Sequence, residues 1–177
     1  MDLKQLSAPF PADAIDWRIG QAGKGASGKM YAKVLAYLTS RAVMDRLDDV
    51  CGPLNWKNDY RAGPAGGIVC ALSIWDAEKK EWITKHDGAE NTDIEAIKGG
   101  LSDAMKRAAV QFGIGRYLYN LGETFAECSE TKQQGWNYAK AKDGSIFYWQ
   151  TPNLPAWALP APAATPAKYG RSNHSAS

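Results

Sequence analysis

Between Trp56 and Asp87, apolar and polar residues alternate in a way that predicts three consecutive β-strands. The extended segments read WKNDYRA, GGIVCALSIWD and EWITKHD. A turn rich in glycine and proline separates the first two segments, and AEKK separates the second from the third. Because short turns join neighbouring antiparallel strands, this region is predicted to form a three-strand meander.

A helical repeat of apolar residues follows the meander. Thr92 and Glu95 match a capping box at its start, and Gly113 suits its C-terminal end. Lys106 and Arg107 fall on the side of the wheel opposite the apolar residues. We therefore predict a long amphipathic helix packed on the meander. The apolar side of its wheel carries Ile94, Ile97, Leu101, Met105, Ala108 and Phe112.

Before the meander, the pattern predicts helix, loop, strand and helix in turn. A short helix is expected over Pro11–Ile19, because proline suits a first helical turn and Gly20 suits its end. The glycine-rich stretch GQAGKGASGK is predicted to be a loop, and Met30–Leu38 a strand. A second helix is capped by Thr39 or Ser40 and ends at Gly52-Pro53.

Beyond the long helix we expect one hairpin and then a tail. WNYAKAKDGSIFYWQ is a hairpin candidate, since Asp143-Gly144 is a favoured turn pair between aromatic flanks. From Thr151 the chain is rich in proline and alanine, which predicts a disordered tail over 151–177 after one folded domain over 1–150. The tail is either a solvated end or a partner-docking peptide that uses Trp157 and Leu159.

These elements define an α+β fold. Its core is antiparallel β-β-β-α, with a helical segment before it and the hairpin and tail after it. At 177 residues and 45% hydrophobic content, the chain has the length of one domain. The cysteines, Cys51, Cys70 and Cys128, are widely spaced, which argues against a disulfide framework or a zinc knuckle. No apolar run is long enough for a membrane span, so we expect a soluble protein of the cytoplasm.

The charge is distributed unevenly although the net charge is only +2. Trp17–Met44 holds five basic residues and no acid, and Ala104–Gly122 holds three basic residues and no acid. Both windows contain aromatic residues. Cations hold phosphates and aromatic rings stack on bases, so the combination is typical of single-stranded nucleic acid binding. The candidate contacts are Lys106, Arg107, Arg41, Arg116, Lys98, Lys24, Lys29, Lys33 and Tyr117.

Two motifs suggest a metal- or nucleotide-dependent DNA-processing enzyme instead. GKGASGKM has phosphate-loop spacing, but Met30 stands where a serine or threonine should bind magnesium. A second motif is an acidic string near Lys98, whose spacing does not suit a nuclease. His86 has no fixed partner for metal binding or nucleophilic catalysis. We therefore expect no hydrolytic site and no cofactor. The acidic string consists of Asp87, Glu90, Asp93 and Glu95.

The order RAVMDRLDDVCGPLNW, meander and KGGLSDAMKRAAVQFGIGRYLYNL resembles the Rad52/22 type of single-strand annealing protein, above all its bacteriophage members. The resemblance spans residues 11–122. It implies subunits assembled into rings or spirals, with single-stranded DNA in a basic groove. Lys106 and Arg107 match the groove-lining pair, and Arg41 matches a contact from the preceding helix. The next basic position of the family is Val110 here, and Arg116 is its candidate replacement.

The resemblance therefore implies an ATP-independent recombinase of DNA repair, in the cytoplasm or nucleoid of a bacterial host. Annealing requires that phosphate repulsion be screened while the base edges stay free. Because pairing is downhill, it needs no nucleotide hydrolysis. A passive coating protein that never pairs strands is the alternative within the same class. A single-strand binding protein is a candidate partner of the tail.

Overall fold

The structure is a computed structural model that describes residues 2–90 and 96–162. Within those ranges the fold is α+β, with two α-helices and three small antiparallel sheets. Short 3-10 segments lie at Leu3–Ser7, Ala12–Ala14, Pro64–Gly66, Arg116–Leu121 and Ala156–Ala158. In chain order the elements are β1 (Ile15–Lys24), β2 (Met30–Leu38), α1 (Ser40–Cys51), β3 (Trp56–Ala62), β4 (Ile68–Asp76), β5 (Glu81–Ala89), α2 (Ala96–Gln111), β6 (Thr124–Ala126), β7 (Cys128–Ser129), β8 (Asn137–Lys140) and β9 (Ile146–Trp149).

The predicted β-β-β-α core is confirmed. Strands β3, β4 and β5 pair in sequence order, and α2 packs across β4 and β5. Alternate residues of β4, Cys70, Leu72 and Ile74, are buried on the side that belongs to the main core. The helix contributes Ala104 and Ala108, whose small side chains allow its backbone to approach the sheet closely. The capping box at Thr92 and Glu95 lies outside the described residues.

Helix α1 begins and ends as its sequence predicts. The Thr39 hydroxyl accepts a hydrogen bond from the Ala42 N–H at 3.2 Å, which caps the first turn. Gly52 ends the helix with a φ of +85°, a backbone conformation that favours glycine. The Trp56 indole N–H donates to Asp48 Oδ1 at 2.6 Å, so the helix is tied to the start of β3.

The helix predicted over Pro11–Ile19 is wrong in its extent. Only Ala12–Ala14 is helical, as one 3-10 turn, and β1 starts at Ile15. The reason is a two-residue repeat: Ile15, Trp17 and Ile19 lie opposite Leu38, Ala36 and Val34 of β2.

The predicted glycine-rich loop is also shorter than expected. Strand β1 continues through an irregularity between Ile19 and Gln21 and reaches Lys24. The turn that joins it to β2 occupies only residues 25–29.

The C-terminal hairpin is confirmed as β8 and β9. Its turn is closed by the Ala141 N–H, which donates to the Ser145 carbonyl at 2.8 Å. Phe147 and Trp149 of β9 are buried with Ala32 and Val34 of β2 in a second core. The small sheet β7-β9-β8 is therefore fastened to the β1-β2-β6 sheet by apolar packing.

Part of the predicted tail packs on the domain. Leu154 packs against the main core, and Ala158 is fully buried. Both residues lie past Thr151, where we expect the tail to begin. Residues 163–177 lie outside the described part of the chain. Among the described residues, no helix combines the length and apolar character that crossing a bilayer requires.

Candidate nucleic-acid interface

A groove of about 1070 Å³ lies between the β1-β2 hairpin, α2 and the 3-10 turn Arg116–Leu121. Among the side chains that the structure describes, three cations line it: Arg18 from β1, and Lys106 and Arg107 from α2. Tyr37 of β2 and Tyr119 line the same groove, and Tyr119 is 67% exposed. Cations and aromatic rings that are separate in the sequence therefore converge on one concave surface.

Strand alternation brings Arg18 and Tyr37 to the groove. Trp17 and Ala36 form a pair whose side chains turn toward the apolar cores. The next positions, Arg18 and Tyr37, therefore belong to the opposite face of the hairpin. On α2, Met105 and Ala108 are buried, which leaves Lys106 and Arg107 on the outward side, as the wheel predicts.

Lys106 is held at the centre of this surface. Its Nζ lies 2.9 Å from Asp103 Oδ1, one turn earlier on α2, and 5.5 Å from the centroid of the Tyr37 ring. Burial raises the pKa of the Tyr37 hydroxyl, with a further rise from Asp16 and an opposing effect from Arg18. Tyr37 therefore stays a neutral phenol beside the ammonium group at neutral pH.

Arg107 is oriented by a carboxylate on β5. Its Nε lies 3.0 Å from Asp87 Oδ1. Burial by itself raises the pKa of Asp87, but hydrogen bonds from the Gly88 N–H, Arg107 and Gln111 outweigh it and lower the pKa. Asp87 is therefore ionised at neutral pH. Because the contact uses Nε, the two terminal nitrogens of the guanidinium supply four further N–H donors toward the groove.

Carboxylates also line the groove, at Glu90, Asp103 and Glu123. Glu123 lies 3.4 Å from Lys33, and both side chains are partly exposed. Such exposed pairs contribute only about 0–1 kcal/mol. Lys106 and Asp103 form a similar, partly exposed pair, so a phosphate can replace Asp103 as the partner of Lys106 at little cost.

The outer face of the hairpin continues beyond the groove through Lys33. Its Nζ lies 5.6 Å from the centroid of the Phe125 ring, and Phe125 on β6 is 67% exposed. Tyr31 contacts the same ring edge to face, with the centroids 6.4 Å apart. Sequence reasoning missed Phe125 because it lies outside both cationic windows. Arg18 and Tyr37 lie in the first window, and only the correct strand assignment of β1 singles them out.

Other sequence-predicted contacts lie away from the groove. Lys24 at the end of β1 pairs with Glu130 at 3.5 Å, and Lys29 is exposed in the β1-β2 turn. Arg41 is exposed on the first turn of α1 and is not part of the groove lining. Lys98 belongs to α2, but its side chain lies outside the part that the structure describes.

Arg116 and Tyr117 make contacts within the fold. Arg116 donates from Nε to the Val110 carbonyl at 2.9 Å and from Nη2 to the Gln111 carbonyl at 2.8 Å, which satisfies the C-terminal end of α2. The Tyr117 hydroxyl accepts a hydrogen bond from the Phe10 N–H at 2.8 Å. Burial raises the pKa of Tyr117, while the hydrogen bond from the Phe10 N–H and the charge of Arg46 act to lower it. The net change is a rise, so the hydroxyl is neutral at physiological pH.

The two enzyme-like motifs do not form enzyme-like sites among the described residues. GKGASGKM spans the end of β1, the turn and the first residue of β2, whereas a phosphate loop leads from a strand into a helix. Asp87 of the acidic string is bound to Arg107, while Asp93 and Glu95 are outside the described ranges. Within the described ranges, no group of three or more His, Cys, Asp and Glu residues could hold a metal ion.

A β-β-β-α domain with a groove lined by cations and aromatic rings has the features of a nucleic-acid-binding protein. The family model described as "Rad52/22 family double-strand break repair protein" matches residues 3–68 and 73–137. Since that match covers most of the chain, the chain belongs to the Rad52/22 family.

Two relatives are similar over nearly the whole chain. A protein of Deinococcus deserti is 36% identical over 160 residues, which cover 89% of this chain and 69% of the relative. A protein of Deinococcus radiodurans is 34% identical over 166 residues, which cover 92% of this chain and 70% of the relative. Both are named single-stranded DNA-binding protein DdrA. No solved structure matches the chain significantly.

Proposed function

We propose that this protein binds single-stranded DNA along the groove and anneals complementary strands in recombination and double-strand break repair, without ATP. The observation that carries the proposal is the convergence of Arg18, Lys106 and Arg107 beside Tyr37 in one groove. The names of the Deinococcus relatives support single-stranded DNA as the ligand, and the family description supports double-strand break repair.

In this mechanism the groove holds the sugar-phosphate chain. The Arg107 guanidinium, oriented by Asp87, donates to phosphate oxygens through its terminal nitrogens. Lys106 exchanges Asp103 for a second phosphate, and the Tyr37 ring limits its movement. Contacts to phosphate carry no sequence preference and leave the Watson-Crick edges free. A complementary strand then pairs spontaneously, so the reaction needs no nucleotide hydrolysis.

Assembly into a ring or spiral extends the site. A strand that crosses several subunits engages several grooves, and each further contact forms at high effective concentration. A modest affinity for one groove therefore becomes tight binding to a long strand. The proposed activity also requires access to cellular or phage DNA, so the cytoplasm or nucleoid of a bacterial cell remains our predicted location. An origin in a bacteriophage stays a prediction, since the two relatives are bacterial.

A partner contact near the C-terminus stays a prediction as well. Trp157 is 53% exposed beside the buried Ala158, so its ring is accessible for docking. A single-strand binding protein is the partner we expect.

The test of the groove is the double variant Lys106→Gln/Arg107→Gln. Removing two phosphate contacts lowers the affinity for single-stranded DNA roughly tenfold or more at low salt, and it reduces the slope of log K against log salt by about 1.4. Binding is measured by fluorescence anisotropy and annealing by fluorescence quenching of complementary oligonucleotides without nucleotide.

The matched control is Lys79→Gln/Lys80→Asn in the β4-β5 turn, at the opposite end of the meander from the groove. Asparagine suits position 80 because Lys80 has a φ of +55°. Unchanged annealing in the groove variant contradicts the site. Tight binding without annealing by the unaltered protein contradicts the annealing step and identifies a passive coating protein.

A further inference from the structure

The C-terminal hairpin presents an exposed aromatic surface that the groove does not use. In the β8-β9 register, Tyr138 lies opposite Tyr148 and Lys140 lies opposite Ile146. Phe147 and Trp149 are buried in the second core, so these four side chains belong to the other face of the sheet. Tyr138 is 60% exposed and Ile146 is 50% exposed. We call this surface, formed by the four side chains, the hairpin face.

The geometry of the hairpin face suits stacking. The Tyr138 and Tyr148 rings meet edge to face, with centroids 6.0 Å apart and planes at 69°. Each ring supports the other's orientation, while the larger part of the Tyr138 ring remains in solvent. An exposed ring held in place on a sheet loses little conformational entropy when an unpaired base stacks on it.

Exposed lysines lie near the hairpin face. Residues 131–150 hold three lysines, Lys132, Lys140 and Lys142, against the single acid Asp143. All three lysines are exposed. Asp143 accepts a hydrogen bond from the Ser145 N–H at 2.9 Å within the turn. Two more acids, Glu127 and Glu130, flank β7, which pairs with β9, and Glu130 lies 3.5 Å from Lys24. The lysines of the hairpin, not a net positive charge of the region, are therefore what this surface offers to phosphates.

We propose that the hairpin face is a second binding site for single-stranded DNA, separate from the groove. Bases stack on Tyr138 and Tyr148, and Lys140 and Lys142 contact phosphates. Unpaired bases are required because a duplex keeps its bases stacked on one another. The match to the family model ends at residue 137, so strand β9 and the two lysines lie outside it. The proposal shares its ligand class with the proposed function but depends on different residues.

A second site would contribute directly to strand annealing. A strand held in the groove and another held on the hairpin face would be brought together on the same subunit or on neighbouring subunits. Two moderate sites on one protein also give tight binding to one long strand, because the second contact is intramolecular.

Photo-crosslinking of the full-length protein tests the site directly. A single-stranded oligonucleotide that carries iodinated deoxyuridine is irradiated with the protein, and crosslinked peptides are identified by mass spectrometry. We expect crosslinks at Tyr138 or Tyr148, and we expect them to persist in Lys106→Gln/Arg107→Gln. Crosslinks confined to groove peptides overturn the proposal. Because the groove variant is included, failure of the groove and failure of the hairpin face give different patterns.

Affinity measurements on Tyr138→Thr/Lys140→Gln supply the second readout. Loss of one stacking contact lowers the affinity for a long single strand by roughly fivefold or more. Threonine keeps a strand-forming residue at position 138. Lys140→Gln/Lys142→Gln leaves both tyrosines in place and lowers both the affinity and its salt dependence, so the site remains testable if the first variant unfolds.

The matched control is Trp82→Thr/Lys57→Gln, which removes another lysine and aromatic ring from an exposed sheet face. Lys57 Nζ lies 4.6 Å from the Trp82 ring centroid, and the neighbouring turn carries Asp76, Glu78 and Glu81 beside Lys79 and Lys80. Because an aromatic ring and a lysine outside the proposed site are removed, we expect no loss of affinity. An equal loss in this control overturns the proposal. The proposal is also overturned if a hairpin variant changes only the oligomeric state. It is overturned as well if duplex DNA competes for binding as strongly as single-stranded DNA does.

Discussion

Arg46 fastens the N-terminal segment to α1. Its Nη1 donates to the carbonyls of Gln5 at 2.9 Å and Ala8 at 2.7 Å, and its guanidinium lies 3.8 Å from the centroid of the Phe10 ring. Burial lowers the pKa of Arg46, while the charges of Tyr117 and Asp49 act to raise it. The guanidinium nevertheless stays charged at any physiological pH. One side chain therefore satisfies several carbonyls of a segment that has little regular structure.

Arg46→Ala is expected to lower the free energy of unfolding by about 2–3 kcal/mol, because it removes charge-assisted hydrogen bonds and the contact with the Phe10 ring. Urea denaturation monitored by tryptophan fluorescence measures the change. Arg41→Ala on the same helix is the control, since Arg41 is exposed and its removal changes stability by no more than about 0.5 kcal/mol. Equal stability of the two variants would show that Arg46 does not anchor the segment.

Asp87 contributes to the contact between β5 and α2. Its carboxylate accepts hydrogen bonds from the Gly88 N–H on its own strand and from Arg107 and Gln111 on the helix. This contact both joins the two elements and orients a groove cation. The same ionisation therefore influences folding and the proposed DNA site.

Asp87 makes stability depend on pH with a definite sign. Its pKa is lower in the folded protein than in the unfolded chain, so its contribution is present above the unfolded pKa of about 3.9 and is lost as pH falls through the folded pKa. Asp87→Asn is expected to be less stable than the unaltered protein at pH 7 and to approach it in acid. Thermal unfolding from pH 7 to pH 3 measures the difference. Parallel curves over this range would contradict the assignment.

The whole molecule is stabilised by two cores and by a C-terminal segment that lies on the domain. Phe147 and Trp149 connect the C-terminal sheet to the hairpin of β1 and β2 through the second core. Leu154 extends the main core from beyond the last strand. These contacts include residues past the boundary that we predict at 150.

Truncation locates this boundary. A chain that ends at Gln150 loses the packing of Leu154 and the buried Ala158, and we expect its free energy of unfolding to fall by about 2 kcal/mol or more. A chain that ends at Pro162 keeps both residues and is expected to be as stable as the full chain. Differential scanning calorimetry compares the three proteins. Equal stability of the shorter truncation and the full chain would place the boundary at 150.

Most of the meander and its helix could be predicted because their signals are local. Strands β3, β4 and β5 are joined by short turns, and Lys106 and Arg107 face outward through the helical repeat around Met105 and Ala108. The N-terminal strand could not be assigned in the same way. Proline at position 11 and glycine at position 20 suit a helix, and only pairing with β2 makes the two-residue repeat of Ile15, Trp17 and Ile19 decisive.

The spacing of residues along the chain was sufficient to predict an α+β fold, the outward basic pair on α2 and the turn of the C-terminal hairpin, since each depends on neighbours within a few positions. Only the folded chain brings Arg18 and Tyr37 beside Lys106, or places Tyr138 against Tyr148 on a solvent-facing sheet. The first juxtaposition requires strand register and packing between distant segments, and the exposure of the tyrosine pair requires the packing of Phe147 and Trp149 on β2. Interactions within a single segment cannot specify either of them.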